Sequence, residues 1–573
     1  MTSLESNQSV ADRLDAAVAV RGVDSAWRRR RMFDLLGELV DGGGDRLAFV
    51  TVDTTGREGR VSYGELVERS VAVSEGLVSI GVRRGDRVGL WMTNLVEWLY
   101  TYFGALRIGA VVVPVSTWLR PPEIQYVLAQ SGARHLVMMD RFRKIDFVEL
   151  LAEIVPEWVG STPGELHSVA LPELRNVVLF RRSGGEVRSD VFDFEGLLGG
   201  SGEFSGVADR MAAAVDPGDL ALVKYTSGST GFPKGVLLEQ WGLVTVGALH
   251  SRRIGMTSED RFFSQMPFFH AGGSVWGLMT MLSQGGCLVF TETNDAETAV
   301  GLVDRERCTA VMGVPPMFHA MLEVLAREPR EIDTVKVSPF ADARLTGELH
   351  EKFGVEFGFM AYGMTEVYGP SAVTGREDPE ELRLGGWARP LDGQELRVVD
   401  PATGVDAEPG VVGEIWMRGL VMRGYHNMPE QTAGSIDGDG WIHSQDLAVM
   451  NEDGFIRYVG RLKAMLKVGG ENVAVEEVEN VIRLFEGVVE VCVIGVPDDR
   501  KGEAPRAYVL SGDPGSIDVD ELGEWCRARL ARYKVPRDFV VVDQMPMTGS
   551  GKPDRAAIIR RDQEAANLEH IQA

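Results

Sequence analysis

The chain has 573 residues, 44% of them apolar, with 59 basic and 84 acidic side chains and a formal charge of −25. That length exceeds one ordinary core and predicts more than one domain, while the composition is that of a folded globular protein and excludes a disordered one. So acidic a surface repels polyanions and excludes nucleic acid as an expected partner, and the dense basic run Arg28 to Arg31 reads as a solvated helix face.

From about residue 60 the pattern alternates helix and strand. Ser62 with Glu65 makes a capping-box signature, after which Tyr63, Leu66, Val67, Val71, Leu77 and Val78 keep helical spacing. A second helix is predicted from Leu95 to Leu106, a β-branched strand from Val111 to Val115, a helix opened by Pro121 and Pro122, and a strand from His135 to Met139. The alternation returns between about 240 and 365, with a strand at Ala310 to Val314 and a helix after Pro316. Helices interleaved with buried strands predict a layered α/β fold on mostly parallel sheets. After about residue 385, Gly, Pro and Asp turns separate short strands (Glu395 to Val399, Gly413 to Arg418, Gly454 to Val459), which predicts a small β-rich subdomain. Beyond Gly460 comes a compact α+β unit. It has a helix face of Val475, Val478, Val481, Ile482 and Phe485, strands at Val488 to Val496, Arg506 to Leu510 and Phe539 to Val542, and a helix from Val519 to Arg532. The expected division is therefore residues 1–459 and 460–573.

Cys287, Cys308, Cys492 and Cys526 are widely spaced, and no His-Glu-x-x-His occurs, so neither a disulfide framework nor a metal held by a side-chain cluster is expected. The opening residues lack a basic region followed by an apolar run. The most apolar stretch, Leu99 to Leu119, is interrupted by Arg107 and Pro114. A cytoplasmic protein with neither leader nor membrane span is expected. A homodimer is compatible with the sequence, which carries no signal for oligomeric state.

The most informative segment is Thr226, Ser227, Gly228, Ser229, Thr230 and Gly231, closed by Phe232-Pro233-Lys234-Gly235. Six small residues offer hydroxyls and approachable backbone N–H groups that can replace the hydration of a polyphosphate, with one lysine just beyond. The spacing is not that of a Walker A loop. The apolar flanks Leu220 to Val223 and Val236 to Leu238 place the loop between two strands.

This segment resembles the phosphate loop of the adenylate-forming superfamily, which holds acyl- and aryl-CoA ligases, nonribosomal adenylation domains and beetle luciferases. Further family motifs follow in order: Pro267 to His270, Tyr362-Gly363-Met364-Thr365-Glu366, Gly440-Trp441 through Asp446, Gly460 to Lys463, Lys467 to Asn472, and Pro546 through Lys552. The match covers about residues 45 to 560. The resemblance implies a large N-terminal domain that binds ATP and a carboxylic acid, and a small mobile C-terminal domain hinged at Lys463. It implies formation of an acyl adenylate with release of pyrophosphate, then transfer to the thiol of CoA.

By the same resemblance Glu366 is the Mg²⁺ ligand, Thr365 bonds the α-phosphate, and Tyr362 beside Gly363 lies against adenine. Ala341 and Asp342 belong to the adenine-side loop. Asp446 and Arg461 hold the ribose, and His270 flanks the acyl pocket, which Gly272, Gly273, Trp276, Val314 to Met317 and Ala361 to Gly363 line. Lys552 bridges carboxylate and α-phosphate, Lys467 faces the site in the second conformation, and Gly469 and Gly470 border the pantetheine tunnel. Carboxylate and triphosphate repel each other, so positioning and charge neutralisation are expected to carry most of the catalysis.

Three departures stand out. Phe340-Ala341-Asp342-Ala343-Arg344-Leu345 replaces the usual Ser-Gly-Gly-Ala-Pro-Leu, Ser444-Gln445 replaces Thr-Gly before the ribose acid, and Ala464 follows the hinge where an acid is frequent. They leave the substrate open: an aryl or medium-chain acid joined to CoA, loading of a carrier-protein thiol, or nitrite activated for attack by an aminoaryl acid, as in ligase-like diazotases.

Overall fold

The computed structural model describes residues 30–562 apart from 183, 185–187, 200–201, 227–232, 340–342, 463–464, 469–470, 499–501, 513–514, 516, 531, 549–551 and 556. Two compact units result. The first holds the described residues up to Glu395 together with Met417–Ile442, and the second holds Leu396–Trp416 and the described residues from His443 onward.

Two layered sheets dominate the first unit. One has seven strands in the order Phe357–Phe359, Val337–Pro339, Ala310–Met312, Arg261–Ser264, Cys287–Thr291, Leu47–Val52 and Glu58–Ser62. All its neighbours are parallel except the last pair. The other has eight strands, running Gly424–Tyr425, Lys234–Glu239, Leu220–Thr226, Val111–Pro114, Arg87–Trp91, His135–Met139, Asn176–Phe180 and Phe192–Asp193. Its middle is parallel, and Lys234–Glu239 joins antiparallel on both sides. Such sheets are covered on both faces, which is why strands such as His135–Met139 and Cys287–Thr291 are buried at every position.

Local chemistry fixes several element ends. The helix Tyr63–Ser79 starts at Ser62, whose side chain accepts from the Glu65 N–H at 3.1 Å. Only that half of the expected box forms, because the Glu65 carboxylate takes the Tyr100 hydroxyl instead. Proline occupies the first turn of Pro121–Ser131 and of Pro315–Arg327, where a missing N–H costs nothing. The strand expected from Gly454 begins later, at Ile456, because Gly454 closes a turn at φ 80°.

Most of a four-stranded sheet (Glu395–Val399, Gly413–Arg418, Ile442–Met450, Ile456–Arg461) belongs to the second unit. A five-stranded sheet follows, with Asp538–Val542 parallel to Gly502–Ser511 and the other pairs antiparallel. The helices Val475–Arg483 and Val519–Arg529 pack on it through Val478, Ile482, Leu522 and Cys526. The four cysteines are buried and unpaired with one another. No described helix is long and apolar enough to cross a membrane.

Candidate active site

In the first unit Thr226 ends one strand and Lys234 begins the next, directly opposite it in an antiparallel pair. The small-residue loop thus joins two strands, as its apolar flanks predict. Ser227, Gly228, Ser229, Thr230 and Gly231 lie outside the described residues, as do Ala341, Asp342, Lys463, Gly469 and Gly470.

Lys234 Nζ stands 4.8 Å above the ring of Tyr425, in the strand beside it. The Tyr425 hydroxyl donates to Glu366 Oε1 at 2.9 Å, inside the fold, where Glu366 is 7% exposed. Burial, and then the Glu366 charge, push the Tyr425 phenol above its ordinary range, so it stays a donor. The Glu366 carbonyl accepts from the Met422 N–H at 2.7 Å, which fixes the backbone under the carboxylate. One ring therefore carries a cation on its face and an acid at its edge, an arrangement that can hold a polyanion on one side and a cation bridging it on the other.

Tyr362, Gly363, Thr365 and Glu366 lie along one hairpin, in which Ala361–Met364 pairs with Gly369–Val373 and the short turn Thr365–Val367 connects them. Gly363 is obligatory: a Cβ there would sit 1.8 Å from the Gly369 carbonyl oxygen. After the turn Tyr368 takes the left-handed conformation at φ 63°. Its buried ring fills the space above Gly242, where a Cβ would come within 2.3 Å of it, and its hydroxyl accepts from the Glu239 N–H at 3.1 Å.

His270 is exposed and precedes a π-helical turn, Gly272–Gly277. Its carbonyl accepts from the N–H groups of Gly273 and Ser274 and, at 3.0 Å, from Ser274 Oγ. The glycines expected to line an acyl pocket have a packing duty: a Cβ on Gly273 would meet the Pro267 carbonyl at 2.2 Å. Half-buried Trp276, from the same turn, lies against Gly369, where a Cβ would be 2.4 Å from the indole nitrogen. The turn bearing His270 and the hairpin bearing Glu366 are thereby packed together.

In the second unit Asp446 and Arg461 face each other across neighbouring strands, with Arg461 Nε 2.8 Å from Asp446 Oδ1; Asp446 is buried and Arg461 exposed. Gln445 sits at φ 62°, in the left-handed region that glycine adopts without strain. Its neighbour Ser444 donates to the Ile415 carbonyl at 2.6 Å and accepts from the Asp446 N–H at 3.0 Å. Lys552 is exposed, its N–H donating to Thr548 Oγ1 at 3.2 Å and its carbonyl accepting from the Thr548 N–H at 2.7 Å. Lys467 belongs to the strand Met465–Val468, opposite Asn472.

Sequence reasoning missed Tyr425, Lys224 and Ser274. Lys224 left a signal, a lysine closing the apolar run Leu220 to Val223, whereas Tyr425 left none, since its meaning lies in which strand it adjoins. A cleft of about 610 Å³ lined by Arg141, Arg143 and Arg182 shares no residue with the motifs. Two of these arginines face carboxylates of their own, Arg141 on Asp146 at 2.6 Å and Arg182 on Glu292.

The AMP-binding enzyme family matches residues 38–426, and the AMP-binding enzyme C-terminal domain matches residues 477–552. A putative acyl-CoA synthetase, YngI of Bacillus subtilis, is 33% identical over 94% of this chain and 98% of its own length. Feruloyl-CoA synthase of an Amycolatopsis species is 34% identical over 87% of this chain and 94% of its own. In fold, the chain superposes on the anthranilate CoA ligase AuaEII bound to anthranoyl-AMP with a TM-score of 0.80 at 23% identity, covering 94% of this chain and 98% of that one. The chain belongs to the AMP-binding enzymes, among the adenylate-forming acid–CoA ligases.

Proposed function

We propose that this protein adenylates an aryl or medium-chain carboxylic acid with ATP, releasing pyrophosphate, and passes the acyl group to CoA. The observation that carries the reading is the buried Glu366 carboxylate held by Tyr425, whose ring also seats Lys234 opposite Thr226. Lys234 and the Thr226 loop bind the outgoing phosphates. Thr365 bonds the α-phosphate, and the Tyr362 ring with Gly363 packs on adenine. Asp446 accepts from the ribose hydroxyls with Arg461 fixing its orientation, and His270 orients the acid. Lys552 neutralises the charge that builds as carboxylate attacks phosphorus, and Lys467, Gly469 and Gly470 serve the thiol step.

Among the described residues no group of three His, Cys, Asp or Glu side chains could hold a metal. One buried carboxylate fits Mg²⁺ brought by the nucleotide, which takes most of its ligands from phosphate oxygens and water. When bound, it withdraws charge from those oxygens. Trp276, wedged on Gly369 beside the His270 turn, and the likeness to a feruloyl-CoA synthase support a flat or medium-length acid.

The test is pyrophosphate release with ATP and a panel of hexanoate, octanoate, benzoate, ferulate and aminobenzoate, with and without CoA. Acid-dependent release followed by thioester on adding CoA is expected. Release that needs nitrite with an aminoaryl acid, or a carrier-protein thiol in place of CoA, would overturn it.

A further inference from the structure

Lys224 has no part in these roles, yet it is 2% exposed on an interior strand of the eight-stranded sheet, antiparallel to one neighbour and parallel to the other. Burial pushes its ammonium down to about 7, and among the described residues no carboxylate is set against it. An apolar side chain would serve the core better, so the amine has a use other than packing. Its partner is Ser274 Oγ, at 2.6 Å. Ser274 Oγ in turn donates to the His270 carbonyl at 3.0 Å. Lys224 and Thr226 lie two residues apart on one strand and share a face, about 7 Å apart. A continuous chain of bonds thus runs from the strand that opens the phosphate loop to the turn that carries His270.

We propose that Lys224 is a positioning residue: through Ser274 it ties the phosphate-loop strand to the His270 turn, so that nucleotide binding orders the side of the site that receives the acid. The proposal rests on the reading of the 226–234 segment as the nucleotide loop. The Lys224 backbone is paired with Val236, so a shift of the hairpin on its ligand carries Nζ with it. The π-helical turn is the responsive partner, since it is held by one wide helical turn and by the three bonds to the His270 carbonyl.

Hydrogen–deuterium exchange with MgATP as sole ligand tests this without knowledge of the acid. In the wild type, MgATP is expected to slow exchange in both 220–239 and 266–278, the latter by about fivefold, the worth of one hydrogen bond. In Lys224→Met, and separately in Ser274→Ala, protection of 220–239 is expected to persist while that of 266–278 is lost. A merely structural lysine would change exchange equally with and without MgATP. Protection of 266–278 retained in both variants, or absent from the wild type, overturns the proposal with the nucleotide reading intact. Absence of protection at 220–239 in the wild type overturns both.

Discussion

Replacing Lys224 with methionine is expected to stabilise the protein at neutral pH, with a dependence on pH that follows from burial. In the unfolded chain the ammonium keeps its ordinary value of 10.5, whereas in the folded protein it loses its proton at about 7. Between these values the unfolded chain binds about one proton more than the folded one, so wild-type stability rises with pH across that window. Each pH step contributes up to about 1.4 kcal/mol, and from pH 7 to pH 9 the gain is about 2 kcal/mol, because the folded group is still half-protonated at the start. Below pH 7 the whole cost of the buried charge is present. The methionine variant keeps the volume and has none of this dependence. It should therefore unfold at a higher temperature than the wild type at pH 7, with the gap closing by about 3 °C at pH 9. Scanning calorimetry of both proteins at several pH values gives the difference directly, and groups that titrate alike in the two cancel. Melting curves separated by the same interval at pH 7 and pH 9 would refute the reasoning, since they would mean that the amine is solvated or has a counter-charge.

The other predictions concern single contacts. Tyr425→Phe keeps the ring under Lys234 and removes only the donor to Glu366, so pyrophosphate release should fall about tenfold and need more Mg²⁺, as a magnesium titration would show. Lys552→Ala should lower adenylate formation by about a hundredfold or more while sparing thiolation of a supplied acyl adenylate, measured as thioester in single-turnover runs. Gly363→Ala puts a methyl 1.8 Å from the Gly369 carbonyl, and the forced opening of the hairpin should cost about 1–3 kcal/mol in calorimetry and lower adenylation. Ser62→Ala removes the one side-chain cap of its helix and should cost about 1 kcal/mol without changing adenylation rates.

What the sequence made legible is what short-range chemistry decides. Prolines at 121, 122, 315 and 316 mark helix starts because only the first turn tolerates a missing N–H, and both helices begin there. The strand His135–Met139 was readable to the residue since an apolar run bounded by polar groups can only be buried. Gly454 misled because glycine supports a strand start and a left-handed turn equally, and nothing nearby in the chain chooses between them. The helix expected to reach Arg532 stops at Arg529.

The candidate site divides along the same line. Thr226, Lys234, Glu366 and Asp446 stand in local motifs, so their residue types could be read in order from the chain. The groups that hold them could not. Tyr425 reaches Glu366 only because Gly424–Tyr425 pairs beside Lys234–Glu239, some 190 residues earlier in the chain. Ser274 is one small residue among several until Lys224, 50 residues away, ends on its oxygen. Gln445 shows the converse: the departure from glycine was visible in the sequence, but its consequence, a side chain held at φ 62° beside the buried acid, needed the backbone. Groups that touch a substrate are constrained by that substrate and recur as motifs. Groups that orient them are constrained by the rest of the fold, and each chain can solve that problem with different residues. Variants of Lys224, Ser274 and Tyr425 therefore test the groups that hold the site in place, which variants of Glu366 or Lys552 leave untouched.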